Sequence, residues 1–197
     1  MDEAITLKSN FSTLVMEYFD IVDERDRVIS KMTRKNCHSN PHFIHRTVHV
    51  FVFNSKKQLF VQKRGENKDM YPGFFGSSAT GHVEAGDNYS NTAFRETKEE
   101  LGFEPEMLTP MFKILIRNEE QSEFITVFFC FHKGQITANP AEMVGGEFMD
   151  VEEVKNQIDE KKDEFTPFFK ETFLKYYHDF WVPNGNGEDE EGSNSGR

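Results

Sequence analysis

One stretch of this chain restricts its fold more than any other. Residues 81–103, GHVEAGDNYSNTAFRETKEELGF, read as a glycine turn, a short polar approach and then a strongly acidic helix. At about 100° per residue, Glu96, Glu99 and Glu100 fall within one narrow arc, while Ala93, Phe94, Thr97 and Leu101 occupy the neighbouring one. One edge is therefore apolar and the adjoining edge carries carboxylates. Like charges at this spacing repel by roughly a few tenths of a kcal/mol per pair, and Lys98 points elsewhere, so only Arg95 offsets them. A hard divalent cation removes the conflict, and oxygen ligands of this kind suit Mg²⁺ or Mn²⁺, shared between carboxylates and substrate phosphates. Acidic helices are commonly nothing more than solvated faces. What separates this one is its frame: Gly81, Asp87, Arg95-Glu96, Glu99-Glu100, then Gly102 and apolar Phe103.

That frame resembles the Nudix box, the signature of hydrolases acting on a nucleoside diphosphate linked to another group, and the match spans the whole box. The resemblance implies an α/β protein, a Nudix-type α/β/α sandwich with a mixed sheet. It also implies Mg²⁺ or Mn²⁺ held by Glu96, Glu99 and Glu100, helped by the Gly81 carbonyl, with a small phosphate compound as substrate. Arg95 sits among these catalytic acids. The general base varies across the family, so Glu99 and Glu96 in the box, and Glu142 or Glu147 beyond it, all remain open. Two positions depart from the pattern: Asp87 stands where the family usually has Glu, and Thr97 where it usually has an aliphatic residue.

The length suggests one domain, taken as residues 18–182. Residues 1–17 read as an N-terminal helical extension with Phe11, Leu14 and Val15 on its apolar side, and residues 183–197 as an acidic disordered tail. A net charge of −11 argues against a general affinity for nucleic acid or for anionic membranes. No apolar run approaches the roughly 20 residues of a membrane span. Cys37 and Cys130 lack CxxC spacing, which makes a reducing, cytoplasmic compartment the default. Oligomeric state is open.

Phe19–Val22 reads as a strand followed by a turn, and residues 29–40 are basic, with Lys31, Arg34 and Lys35 near the expected site entrance. Residues 37–49 hold Cys37, His38, His42, His45 and His49, which invites a zinc reading. Pro41 interrupts any helix there, so a preformed tetrahedral cage is not evident and structural roles are favoured. Residues 47–53 and 58–62 read as a hairpin joined by NSKK. Lys63 and Arg64 follow it and, with Lys68, are candidates to hold a substrate diphosphate. Met70, Tyr71, Phe74 and Phe75 either pack inward or stack on a base. Residues 112–116 and 124–131 read as strands, Gly145-Gly146 as a turn into a short strand, and a helix starts near Val151. A last helix spans about 167–177 with Phe168, Phe169 and Phe173 inward.

A second, looser resemblance covers residues 18–180. IVDERDRVI, HRTVHVFVFN, FVQKR, NKDMYPGFFGSSATGH and FTPFF are similar to the branch of the Nudix superfamily that includes type I isopentenyl-diphosphate isomerases and their hydrolase relatives. Those isomerases hold a metal with three histidines and two glutamates and use a cysteine just before a Gly-His pair. By resemblance, His38, His45, His82 and Glu123 match ligand positions, whereas Gln121 replaces the other glutamate and Thr80 the cysteine. The missing thiol and ligand favour hydrolysis over isomerisation. The alternatives are an isomerase-like enzyme and a catalytically degenerate nucleotide-binding module.

Overall fold

A computed structural model describes residues 16–160 and 164–182. Of the helix expected over residues 1–17 only residues 16–17 are described, and they are not helical; the tail expected over 183–197 lies outside the described residues. The chain runs β1 (Tyr18–Val22), β2 (Val28–Thr33), α1 (Arg34–His38), β3 (Ile44–Phe53), β4 (Leu59–Arg64), β5 (Phe75–Gly76), β6 (Ala79–His82) and α2 (Tyr89–Leu101). It continues through β7 (Thr109–Arg117), β8 (Ser122–Phe131), β9 (Met143–Met149), α3 (Val151–Glu160) and α4 (Pro167–Tyr176), closing on a π-helical turn, Tyr177–Trp181. Among the described residues no helix is long and apolar enough to cross a membrane.

The sheet is mixed and β3 is its spine. Its run of β-branched and aromatic residues is buried on both faces from Val48 to Phe53, as a central strand requires. β3 pairs in parallel with β8 over Ile44↔Ser122 to Phe53↔Phe131, and antiparallel with β6 over Thr47↔His82 to Val50↔Ala79. One face is covered by α2, whose Ala93 and Leu101 pack on Val48, Val50, Val52 and Phe60. The other is covered by α3 and α4, whose Val154, Ile158, Phe169 and Phe173 pack on Phe51, Leu59, Val61 and Val127. The result is an α/β fold with helices on both sides of the sheet.

Three local readings change. The expected hairpin of β3 and β4 holds together only at its base, Phe53↔Leu59. Beyond it the strands part. Ser78 fills the gap by accepting from the Val52 amide at 2.9 Å and donating to the Phe60 carbonyl at 2.5 Å, so both buried backbone groups are satisfied without a ladder. Gly145 and Gly146 lie inside β9 rather than in a turn before it, because β9 pairs with β4 along its whole length. On α2, Phe94 is 37% exposed whereas Glu100 is buried, so the protein-facing arc is rotated toward the carboxylates.

α2 is held at both ends. Asn88 caps it by accepting from the Asn91 amide at 3.0 Å, and Gly102 ends it at φ 72°, a left-handed conformation in which glycine carries no Cβ penalty. Thr97, fully buried, donates its hydroxyl to the Ala93 carbonyl at 2.7 Å, so the polar departure from an aliphatic residue is satisfied within the helix. The turn between β1 and β2 is tied to the same layer. Asp26 accepts from Arg46 Nε at 2.6 Å and from the Tyr89 hydroxyl at 3.1 Å.

Candidate active site

The acidic helix, the β6 strand and the loops after β4 and β8 enclose a cleft of about 460 Å³. Glu96 and Glu99 project into it from α2, and Gly81 faces them from β6. A Cβ built on Gly81 would stand 2.1 Å from Glu96 Cδ, so the glycine exists to let the carboxyl lie against the strand. Arg95 Nη1 is 2.8 Å from Glu96 Oε1 and 3.5 Å from Glu99 Oε2, the only cation between them among the ion pairs of the described residues. Glu100 does not open into the cleft. It is sealed behind the wall, Oε1 accepting from the Thr80 amide at 3.0 Å and Oε2 from Gln62 Nε2 at 3.0 Å.

Burial pushes the Glu96 carboxyl up to about 7, with Glu99 and Glu142 adding to it against Arg95. Burial likewise pushes Glu100 up to about 8, with Glu96 adding to it against the Thr80 and Gln62 hydrogen bonds. This donor set fits a hard divalent cation: crowded carboxylates, poorly solvated and under-neutralised, whose proton is the competing cation. The sign of the pH dependence follows. Carboxyls raised above their unfolded value of 4.5 stabilise the metal-free fold fully below that pH and lose this as pH rises through about 7 to 8. Metal-free protein is therefore expected to melt at least about 4 °C lower at pH 9 than at pH 5.5. Mg²⁺ should restore more at the higher pH, where it no longer competes with protons. Thermal unfolding with and without Mg²⁺ checks both, and melting that ignores pH and cation alike would remove the carboxylates as a cation site.

The remaining expected residues divide cleanly. Arg64 lines the cleft, its Nε and Nη2 donating to the Met70 carbonyl at 3.2 and 2.9 Å. Lys68 and Glu142 also line it and pair with one another. Lys63, one residue from Arg64, points the other way, exposed and with its ammonium 5.6 Å from the centre of the Phe75 ring. Glu147 is exposed on β9 opposite Val61 and is not among the residues that line the cleft. Of the two acids considered beyond the box, Glu142 is the one in place.

The histidine-rich stretch is more organised than its sequence suggests. His38 from α1, His45 from β3 and His82 from β6 bring one ring nitrogen each within 4.8 Å of the others. His45 is 1% exposed and both its nitrogens lack a hydrogen bond, while Glu123 Oε1 lies 3.5 Å from Nε2 and is itself held by the Thr47 hydroxyl at 2.9 Å. Burial holds His38 down to about 4 and His82 well below its ordinary value, so both rings are neutral and their Nε2 atoms share a proton at 3.2 Å. Against burial, Cys37 and Glu123 raise His45 to about 10, which leaves it a proton that a metal would have to displace. Orphaned imidazole nitrogens beside a buried carboxylate fit a transition metal. Read by itself the stretch did not reveal this cage, because its third member, His82, belongs to the box; it was the resemblance to the isomerase branch that named His38, His45 and His82 together. His42 takes no part, and His49 points into another wall of the cleft.

Comparison with known proteins places this geometry. A family model described as NUDIX domain matches residues 43–169. Isopentenyl-diphosphate Delta-isomerase 1 of Photorhabdus laumondii is 29% identical over 164 residues, covering 79% of this chain and 92% of its own. An uncharacterized Nudix hydrolase of Yersinia pestis is 31% identical over 153 residues, covering 78% of this chain and 81% of its own. Among solved structures, DR0079 from Deinococcus radiodurans superimposes with a TM-score of 0.71 at 25% identity, covering 82% of this chain and 99% of that one.

Proposed function

Since the chain belongs to the Nudix family, we propose that it is an Mg²⁺- or Mn²⁺-dependent hydrolase cleaving a phosphoanhydride bond in a nucleoside diphosphate linked to another moiety. The observation that carries this is the crowding of Glu96 and Glu99 against Gly81 in a cleft that Arg34, Arg64 and Lys68 also line. Free, buried cysteines suit a reducing, cytoplasmic setting.

Glu96 and Glu99, with the Gly81 carbonyl, would hold the cation, and Glu100 would join them by releasing the Thr80 amide or Gln62; when bound, the cation neutralises charge developing on the phosphate oxygens. The chain's own groups do the rest. Arg64 is already splinted by the Met70 carbonyl, so its remaining N–H groups meet a phosphate with little conformational freedom left to lose. Lys68 exchanges Glu142 for phosphate, and this frees the Glu142 carboxylate inside the cleft. Glu99, the most exposed of the box acids, orients the attacking water and accepts its proton, with Glu142 as the alternative acceptor. Arg95 limits repulsion between Glu96 and Glu99.

An isomerase reading has one observation in its favour, the convergence of His38, His45 and His82 beside Glu123. Against it stand Thr80, which has no thiol, and Gln121, an uncharged amide whose Nε2 donates to Met70 Sδ at 3.1 Å. Thr80→Cys alone is expected to yield no detectable isomerisation of isopentenyl diphosphate, because Gln121 still leaves an anionic ligand missing; measurable turnover would invert the ranking. The direct test is phosphate or pyrophosphate release from a broad panel of nucleotide derivatives with Mg²⁺ and Mn²⁺, beside an isomerisation assay on the same preparation. Cation-dependent release supports the hydrolase. Silence in both assays, with no cation binding, leaves a binding module.

A further inference from the structure

One wall of the cleft has a chemistry of its own. His49 of β3, Gln62 of β4, Ser77 after β5 and Thr166 at the start of α4 all line the cleft, and none of them is charged. They are contiguous: Gln62 is in register with Gly76, a Cβ on Gly76 would stand 3.9 Å from Thr166 Oγ1, and Ser77 Oγ is 2.8 Å from His49 Nδ1. Burial holds the His49 ring neutral, down to about 4.

The direction of each hydrogen bond decides what this wall offers. Thr172 donates its hydroxyl to the Phe168 or Phe169 carbonyl at 2.9 or 3.1 Å, so toward His49 Nδ1, 3.3 Å away, it presents a lone pair. Nδ1 therefore carries the ring proton, shared with Ser77 and Thr172, and Nε2 is left as an acceptor with no partner among the described residues. Gln62 commits its amide nitrogen to Glu100, which leaves Oε1 buried and without a donor; Gln121, elsewhere on the cleft, commits its nitrogen to Met70 and leaves its own Oε1 in the same state. Buried acceptors without donors are costly unless a ligand or water supplies the hydrogen. Phosphate oxygens only accept, and an alkyl chain supplies nothing. Hydroxyl groups donate.

We propose that His49 and Gln62 form a subsite for a neutral, polyhydroxylated group carried on the diphosphate, a sugar or similar polyol, with the phosphates directed to the Arg64 and Lys68 side of the cleft. The proposal rests on the phosphoanhydride reading for its diphosphate, and its test is made independent of turnover. The probes are a methylene-bridged nucleoside diphosphate hexose, which cannot be cleaved, the matching bridged nucleoside diphosphate, and its bridged alkyl ester of comparable size, each titrated with Mg²⁺ by calorimetry.

Wild-type protein is expected to bind the hexose at least about tenfold more tightly than the alkyl ester. In His49→Asn the amide nitrogen still reaches Ser77 and Thr172 but the cleft-facing acceptor is gone, and the hexose-to-unsubstituted affinity ratio should fall about tenfold. His49→Gln, whose amide reaches the Nε2 position, should recover part of that ratio. An alkyl ester bound as tightly as the hexose by wild-type protein overturns the proposal whether or not either variant folds. So does a ratio unchanged in folded His49→Asn. A protein that shows the expected ratio yet cleaves nothing in the hydrolysis panel would instead sink the hydrolase reading and leave the subsite standing.

Discussion

Replacing Gly81 by alanine is expected to lower hydrolysis by about 10²–10³-fold while moving the melting temperature by only a few degrees. The added methyl would sit 2.1 Å from Glu96 Cδ and 2.2 Å from its Oε1, distances no pair of atoms sustains. Gly81 is in a β-strand without a positive φ, so alanine suits the backbone and the collision is with the far end of one side chain. The fold yields by turning Glu96 aside, and a carboxyl displaced by an ångström or more no longer meets its partners. Steady-state kinetics and thermal unfolding on the same variant separate the two effects. Adding Glu96→Asp to Gly81→Ala should recover part of the lost rate, since the shorter acid clears the methyl; the non-additivity identifies the contact itself. A Gly81→Ala enzyme within threefold of wild type would mean that Glu96 does not act from this position.

Glu99→Gln should remove at least about 10³ of the rate with stability unchanged to within about 0.5 kcal/mol. Its side chain is 57% exposed and its only ion pair among the described residues, to Arg95 at 3.5 Å, is weak. The change keeps shape and deletes the charge. Glu147→Gln makes the matched control, since Glu147 is exposed on β9 outside the cleft; its rate should stay within twofold. Glu142→Gln should fall between them. If Glu147→Gln proves as damaging as Glu99→Gln, β9 must reach the substrate in a way that this cleft does not allow, and the assignment of Glu142 goes with it.

What was legible in the sequence was what is local. The box helix declares its acidic and apolar faces through a 3.6-residue period within one span of chain, while its Asn88 cap and Gly102 end came from the structure. Glu100 shows where that reading ends. Periodicity groups it with Glu96 and Glu99, yet its hydrogen-bond partners stand 38 and 20 residues away, on β4 and at Thr80, and they draw it inside. Lys63 and Arg64 were separable in principle, because neighbours on a strand face opposite ways and only one can address a cleft. The choice between Glu142 and Glu147 depended on where β9 begins, and two consecutive glycines disguised a strand as a turn. His38, His45 and His82 meet only because β6 lies against β3, a pairing that no period in the sequence encodes.

The parallel partnership of β3 with β8 has a consequence for how the protein comes to exist. Ile44–Phe53 must lie beside Ser122–Phe131 to be covered, and that second strand leaves the ribosome well after the first. β6 can cover one edge of this apolar strand, VHVFVF, over Thr47–Val50 once residues 79–82 are made, but until β8 arrives the other edge stays open. The nascent chain thus passes through a sticky interval set by the time of synthesis between the two strands. Translation speed over residues 54–121, and chaperones able to mask a short aromatic strand, should govern yield more than any feature of the finished cleft.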